Sequence, residues 1–267
     1  MRALLLCVVL GACGGSSDGD GDGGGGDGDG GGGSADVSGR IEIIEYDGLD
    51  TGFVTAHFTD ADLTPELARD GDCRVYEQPC LGQVGACGAP EGYSAGTLDI
   101  TGLWQPLSLE PGWNNAYYAS SVPRDLFTDD AEITASASGD ELEAFTLSAG
   151  GVAPLESELA GDEHPPLGDG PVTFSWTPVD GSEARVRLEI NAADVCHAGA
   201  HWLVLECDAA DTGSLEVTAE ILAAIPQGYF GCGGSLARVR SDVLAADRVE
   251  IELVVANADW FNLFEIH

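Results

Sequence analysis

The chain has 267 residues, of which 46 are acidic and 10 basic, giving a net charge of −36. Every basic residue is Arg, which excludes a lysine Schiff base, a phosphate-loop lysine and a lysine general base, and the charge repels nucleic acid and anionic lipid headgroups. The length allows two modest domains or one large β domain, with room for a core and a site.

At the start, Arg2 precedes an apolar run from Ala3 to Leu10, followed by Gly11-Ala12-Cys13. The run is far shorter than the ~20 residues that span a bilayer. A charged start, a short apolar core and small residues before a cut describe an export signal over residues 1–12. Leu10-Gly11-Ala12-Cys13 resembles the lipobox of bacterial lipoproteins. That resemblance implies that Cys13 is acylated, as with palmitate, and becomes the first mature residue. From Gly14 to Ser34 there is no apolar side chain, so residues 13–36 read as a lipidated Cys and a disordered Gly/Asp tether. Its reach is very roughly 25–30 Å. Gly14 follows the lipidated position where inner-membrane lipoproteins carry Asp, and by the same resemblance this directs the protein to the outer membrane. Asp18-Gly19-Asp20-Gly21-Asp22-Gly23 matches the opening of a calcium loop, but Asp29 stands where the bidentate Glu belongs and no helix flanks it. A solvated tether is the preferred reading.

Past the tether, short alternating segments dominate: Arg40 to Tyr46, Gly52 to Phe58, Thr97 to Thr101, Glu132 to Ala137 and Ala144 to Leu147. Phe53, Thr55 and His57 share one face and Val54, Ala56 and Phe58 the other, a period of two that predicts strands. A capping hydroxyl, a Pro and Gly71 predict a single helical turn at Thr64-Pro65-Glu66-Leu67. Pro111-Gly112 and Gly139-Asp140 mark turns. No stretch sustains a 3.6 period, so the expectation is an all-β fold, with residues 37–150 as a first β-rich module.

Gly, Pro, Glu and Asp crowd together from Gly150 to Gly170, which predicts a linker over 151–170. Beyond it, Val172, Phe174 and Trp176 face one way, and after the Asp180-Gly181 turn Val186, Leu188 and Ile190 oppose Arg185, Arg187 and Glu189. These are two facing strands of a sandwich. Ser175-Trp176 before Pro178, and Pro226-Gln227-Gly228-Tyr229 ahead of a strand at Leu236 to Val239, resemble the fibronectin type III module and its tyrosine corner. The resemblance implies an immunoglobulin/fibronectin III-like β-sandwich over 171–267, although the family's usual Tyr in the third strand is absent. The arrangement from Cys73 to Cys87 and the strands up to Leu147 also resemble a group of bacterial lipoproteins with no described activity, which supplies no functional residues.

With Cys7 removed and Cys13 acylated, Cys73, Cys80, Cys87, Cys196, Cys207 and Cys232 remain. In an exported protein these read as disulfides. The expectation is one bridge among the first three, where the intervening segments are turn-rich, and Cys207 with Cys232 or Cys196. The leftover pair either joins the modules or stays as thiols.

Other constellations are weaker. His197 and His201 could share a zinc on a helix but not on a strand, and Gly199 disfavours both. Trp113, Tyr117 and Tyr118, with Asn114 and Asn115 between them, could present rings and amides to a sugar, or pack on their own sheet. No Gly-x-Ser-x-Gly elbow, His-Glu-x-x-His, phosphate loop or dinucleotide fingerprint occurs, and no cofactor is implied. A codon-biased genome accounts for the missing Lys; a saline habitat, where ions screen acidic surface, is the sharper alternative. The leading expectation is a non-catalytic surface lipoprotein serving adhesion, envelope structure or ligand capture, with an envelope protein or polysaccharide as partner. A metal-dependent hydrolase around His197 and His201 and a glycan-binding lipoprotein are the alternatives.

Overall fold

A computed structural model of the chain describes residues 36–47, 51–60, 65–78, 92–157, 170–193, 202–226, 230–246, 248–261 and 264–265. The segments expected to be an export signal and, through residue 35, a tether, together with Cys13, Cys80, Cys87, Cys196, His197, His201 and Tyr229, lie outside those residues, as does the side chain of Cys232.

The first alternating segments form β1 (Val37–Tyr46) and β2 (Thr51–Asp60), antiparallel partners in which Ile41 faces Ala56 and Ile43 faces Val54. The helical turn expected at Thr64 to Leu67 is not formed where the residues are described. Glu66–Asp70 is β3, which turns at Gly71 into β4 (Cys73–Gln78). One helical turn fixes several dihedrals for a single hydrogen bond, whereas the hairpin satisfies the backbone of both strands. Then follow β5 (Leu98–Thr101), β6 (Leu107–Leu109), β7 (Tyr117–Pro123), β8 (Glu132–Ala137) and β9 (Phe145–Gly150). The second half supplies β10 (Val172–Ser175), β11 (Arg185–Ala193), β12 (Trp202–Ala210) and β13 (Ser214–Val217). A single helical turn, α1 (Ala219–Leu222), is capped by the Thr218 side chain, and β14 (Phe230–Ala246), β15 (Val249–Phe261) and β16 (Phe264–Glu265) complete the chain. The glycine-flanked Gly231-Cys232-Gly233, which by composition reads as a turn, lies in β14, where Gly231 and Gly233 pair with β11 and Gly231 with β16. The fold is all-β, as the alternation implies.

One sheet runs β3-β4-β12-β11-β14-β15-β1-β2-β7, with β16 added beside β14. Its β1–β15 pair is parallel and the rest are antiparallel. Two smaller sheets, β10-β13 and β6-β5-β8-β9, make the second layer. Val186, Leu188 and Ile190 of β11 pack with Val172, Phe174 and Trp176 in one core. Ile41, Ile43, Ile251, Leu253 and Val255 pack with Leu98, Ile100, Ile133 and Leu147 in another. Register places both cores on the same face of the large sheet, since Leu236 of the first core sits opposite Asp259, two residues from Asn257 and four from Val255. The molecule is thus two sandwiches side by side that share one continuous layer.

Residues 37–150 and 171–267 are therefore not two separate modules. β4 of the first half lies against β12 and contributes Val75 to the core around Leu188 and Trp176, while β15 of the second half lies between β14 and β1. Turn signals report neighbours in sequence, and these pairings are distant in sequence. The disulfide pattern changes for the same reason. Cys207 joins Cys73, its register partner on β4, with Cα atoms 4.0 Å apart, and not Cys196 or Cys232.

Part of the expected linker is packed. Val152 and Leu155 are buried, and the strands beneath hold the segment through polar groups. Asn257 Oδ1 accepts from Leu155 N at 3.2 Å, and Asp259 accepts from Ser157 Oγ. Arg238, only 1% exposed, donates to Asp211 Oδ2 at 2.8 Å and to the carbonyls of Ala153, Pro154 and Thr177. Asp211 Oδ1 also accepts from Trp176 Nε1 at 2.7 Å. This seam fills the groove between the two cores.

Candidate functional site

The other face of the large sheet is built from the other half of each alternation. β1 places Arg40, Glu42, Ile44 and Tyr46 there, and β15 places Glu250, Glu252, Val254 and Ala256. Across the sheet, Arg187 stands opposite Asp208, Glu189 opposite Glu206, and Glu206 opposite Arg74. Between these groups Ala237, Val239, Val254, Ala256 and Ala258 form a thin apolar strip under Ile44 and Tyr46.

Arg40 on β1 and Glu206 on β12 are separated in the sheet by β15, β14 and β11. At ~4.8 Å per strand a flat sheet holds their backbones roughly 19 Å apart, beyond the reach of the two side chains. Yet Arg40 Nη2 donates to Glu206 Oε2 at 3.1 Å. The sheet coils toward this face, and ion pairs close the coil.

The closure is a network. Arg74 Nε and Nη2 donate to Glu206 Oε1 at 3.1 and 2.7 Å, and Arg40 Nε lies 3.2 Å from Glu252 Oε2. Arg187 Nη2 donates to Glu252 Oε1 at 2.8 Å and to Asp208 Oδ2 at 3.0 Å, and Arg185 also donates to Asp208. The Arg74 guanidinium lies over the Tyr76 ring, 5.0 Å from its centre. Burial alone raises the pKa of Glu206, but Arg40, Arg187 and Arg74 outweigh it and hold the carboxyl down at about 2. For Glu252, burial is likewise overcome by Arg40 and Arg187, and the pKa falls. Glu189 goes the other way: burial, then repulsion from Glu42, raises it against the pull of Arg40. One donor stays unmatched, because Arg187 Nε is buried without a hydrogen-bond partner.

These residues open into a cleft of about 280 Å³. Arg40, Arg69, Arg74 and Arg187 line it together with Asp72, Glu206, Asp208, Glu250 and Glu252, and Val243 gives one apolar wall. At the rim Arg69 is held, among the described residues, by an exposed pair with Glu66, at 2.9 and 2.5 Å. Proton transfer at neutral pH is poorly served by Glu206 and Glu252 of the cleft, since both are locked to guanidiniums.

The sequence pointed elsewhere. Tyr117 is 1% exposed, and its hydroxyl donates to Gly96 O and accepts from Ala95 N, so it belongs to the core and presents no ring to a ligand. Trp113 and Tyr118 are 59% and 56% exposed. Asn114 and Asn115 both adopt positive φ, and Asn115 Nδ2 is committed to Gly92 O and Glu141 Oε2. Among the described residues, no group of three or more His, Cys, Asp or Glu side chains is placed to hold a metal. The cleft residues were readable only as the polar side of strands. A signal was present in Arg185-x-Arg187-x-Glu189 and in Glu206-x-Asp208, charges at period two inside apolar strands, but alternation alone assigns such a face to solvent. Compared with protein-family models and with curated proteins, the chain matches none.

Proposed function

We propose that the protein is a non-catalytic lipoprotein, anchored through Cys13 to the bacterial outer membrane, that captures a ligand at the cell envelope. The observation that carries this reading is the order Arg2, apolar Ala3 to Leu10, Leu10-Gly11-Ala12-Cys13 and a Gly/Asp tract, which is that of an export signal, a lipobox and a tether. Ligand capture is favoured over a purely structural role by the cleft, and catalysis is disfavoured by the arginines that hold Glu206 far below neutrality. A fibronectin III-like origin for 171–267 is part of the same reading. It is supported by β10 and β13 in one layer and β11, β14 and β15 adjacent in the other, the places of strands B, E and C, F, G in such sandwiches.

Cys13→Ser tests the anchor. Acyl chains contribute ~0.8 kcal/mol per buried CH₂ and the acidic tether offers the membrane nothing in exchange. The variant is expected to leave the membrane fraction or to accumulate as uncleaved precursor; unchanged fractionation would refute the anchoring.

A further inference from the structure

We propose that the cleft lined by arginines and carboxylates binds a neutral sugar unit, whose hydroxyls bridge the guanidinium–carboxylate pairs; this rests on the ligand-capture reading above. A buried ion-pair network gives little net stability compared with apolar residues of the same volume. The chain nevertheless places four of its 10 basic residues in this one cleft. That concentration calls for a role beyond holding the sheet.

Charge decides the ligand class. An anion entering the cleft would meet five carboxylates in a chain of net charge −36, and a cation would meet four guanidiniums. To reach Arg40, Arg74 or Arg187, or Glu206, Asp208 or Glu252, either must break an existing pair. A hydroxyl donates and accepts at once, so it inserts beside a guanidinium and a carboxylate without unpairing them. Arg69 can turn inward cheaply, because exposed pairs such as Arg69–Glu66 are worth little. Val243, half exposed, offers an apolar surface to the C–H face of a ring. The volume of about 280 Å³ suits one or two sugar rings.

The test uses full-length protein extracted in a polyoxyethylene detergent, which carries no sugar, applied to an array of neutral and acidic glycans. Arg69→Ala and Asp72→Asn alter exposed rim side chains and should keep the wild-type thermal midpoint. Each is expected to weaken binding of neutral glycans roughly 10-fold, the scale of losing a charge-assisted hydrogen bond. Arg124→Ala, at an exposed pair with Asp47 outside the cleft, should bind as wild type. No neutral glycan bound, binding confined to acidic glycans, or equal binding by wild type and both rim variants would overturn the proposal. Saturable thermal stabilisation by glycine betaine with no glycan bound would overturn the sugar while leaving ligand capture in place. Membrane release is read separately in Cys13→Ser, so failure of the anchor and failure of the site are distinct results.

Discussion

Glu206 is the residue on which the coil of the sheet depends. Its side chain is 6% exposed and bonded to Arg40 and Arg74, which come from strands far apart in the sheet. Removing one partner of a buried ion pair costs ~3–5 kcal/mol, because the remaining charges are left uncompensated. Glu206→Gln is therefore expected to lower the unfolding free energy by about that amount, read from urea midpoints at neutral pH. The pH dependence has a definite sign. The folded-state pKa of Glu206 is depressed to about 2, so its stabilisation is full above the ordinary carboxylate range and is lost as pH falls toward that value. Glu252 acts in the same sense, and Glu189, whose pKa is raised, in the opposite one, its effect being lost as pH rises. Glu206→Gln should lose less stability than wild type on acidification from neutral pH; parallel pH profiles for the two proteins would count against this network. The sequence could not rank Glu206 above the other 45 acids, since burial and partners depend on which strands meet.

At the scale of elements, the first half of the chain covers both edges of the second half's sheet. β4 pairs along β12 and β1 pairs along β15, so neither strand is left open to pair with another chain. Five strand segments were legible from alternation, and Glu132–Ala137 matches the observed β8 end to end. The facing of β10 and β11 was legible as well, because Val172, Phe174, Trp176, Val186, Leu188 and Ile190 carry the pattern themselves. Strand exchange between the halves was not legible. Nothing local in Cys73-Arg74-Val75-Tyr76 says that its partner is Leu203 to Cys207. The disulfide fixes that long-range contact at a sequence separation of 134. Closing a loop of that size restricts the unfolded chain by roughly 4–5 kcal/mol in the entropic treatment. Cys73→Ala with Cys207→Ala should lower stability by up to that much and speed amide exchange along β4 and β12 before the rest of the sheet. Uniform exchange across the whole sheet, or a peptide map joining Cys207 to Cys232, would contradict the pairing.

Across the whole molecule, charge is distributed unevenly. Arg40, Arg187 and Arg238 are held inside ion-pair networks, Arg238 in the seam between the cores and the other two on the coiled face, while most of the 46 acids remain to give the net charge of −36. A sequence reading sees only the sum, which explains why the cleft was not legible. The proposed export signal and lipobox are a different case, since their meaning would lie in the local order of residues and requires no fold. In the function proposed here, the folded body hangs from the membrane by an acylated Cys13. The intact mass of the protein extracted from membranes tests it most directly. The expected mass is that of residues 13–267 plus the mass of the attached acyl groups; a mass matching an unmodified chain, or one that begins at any residue other than Cys13, would contradict it.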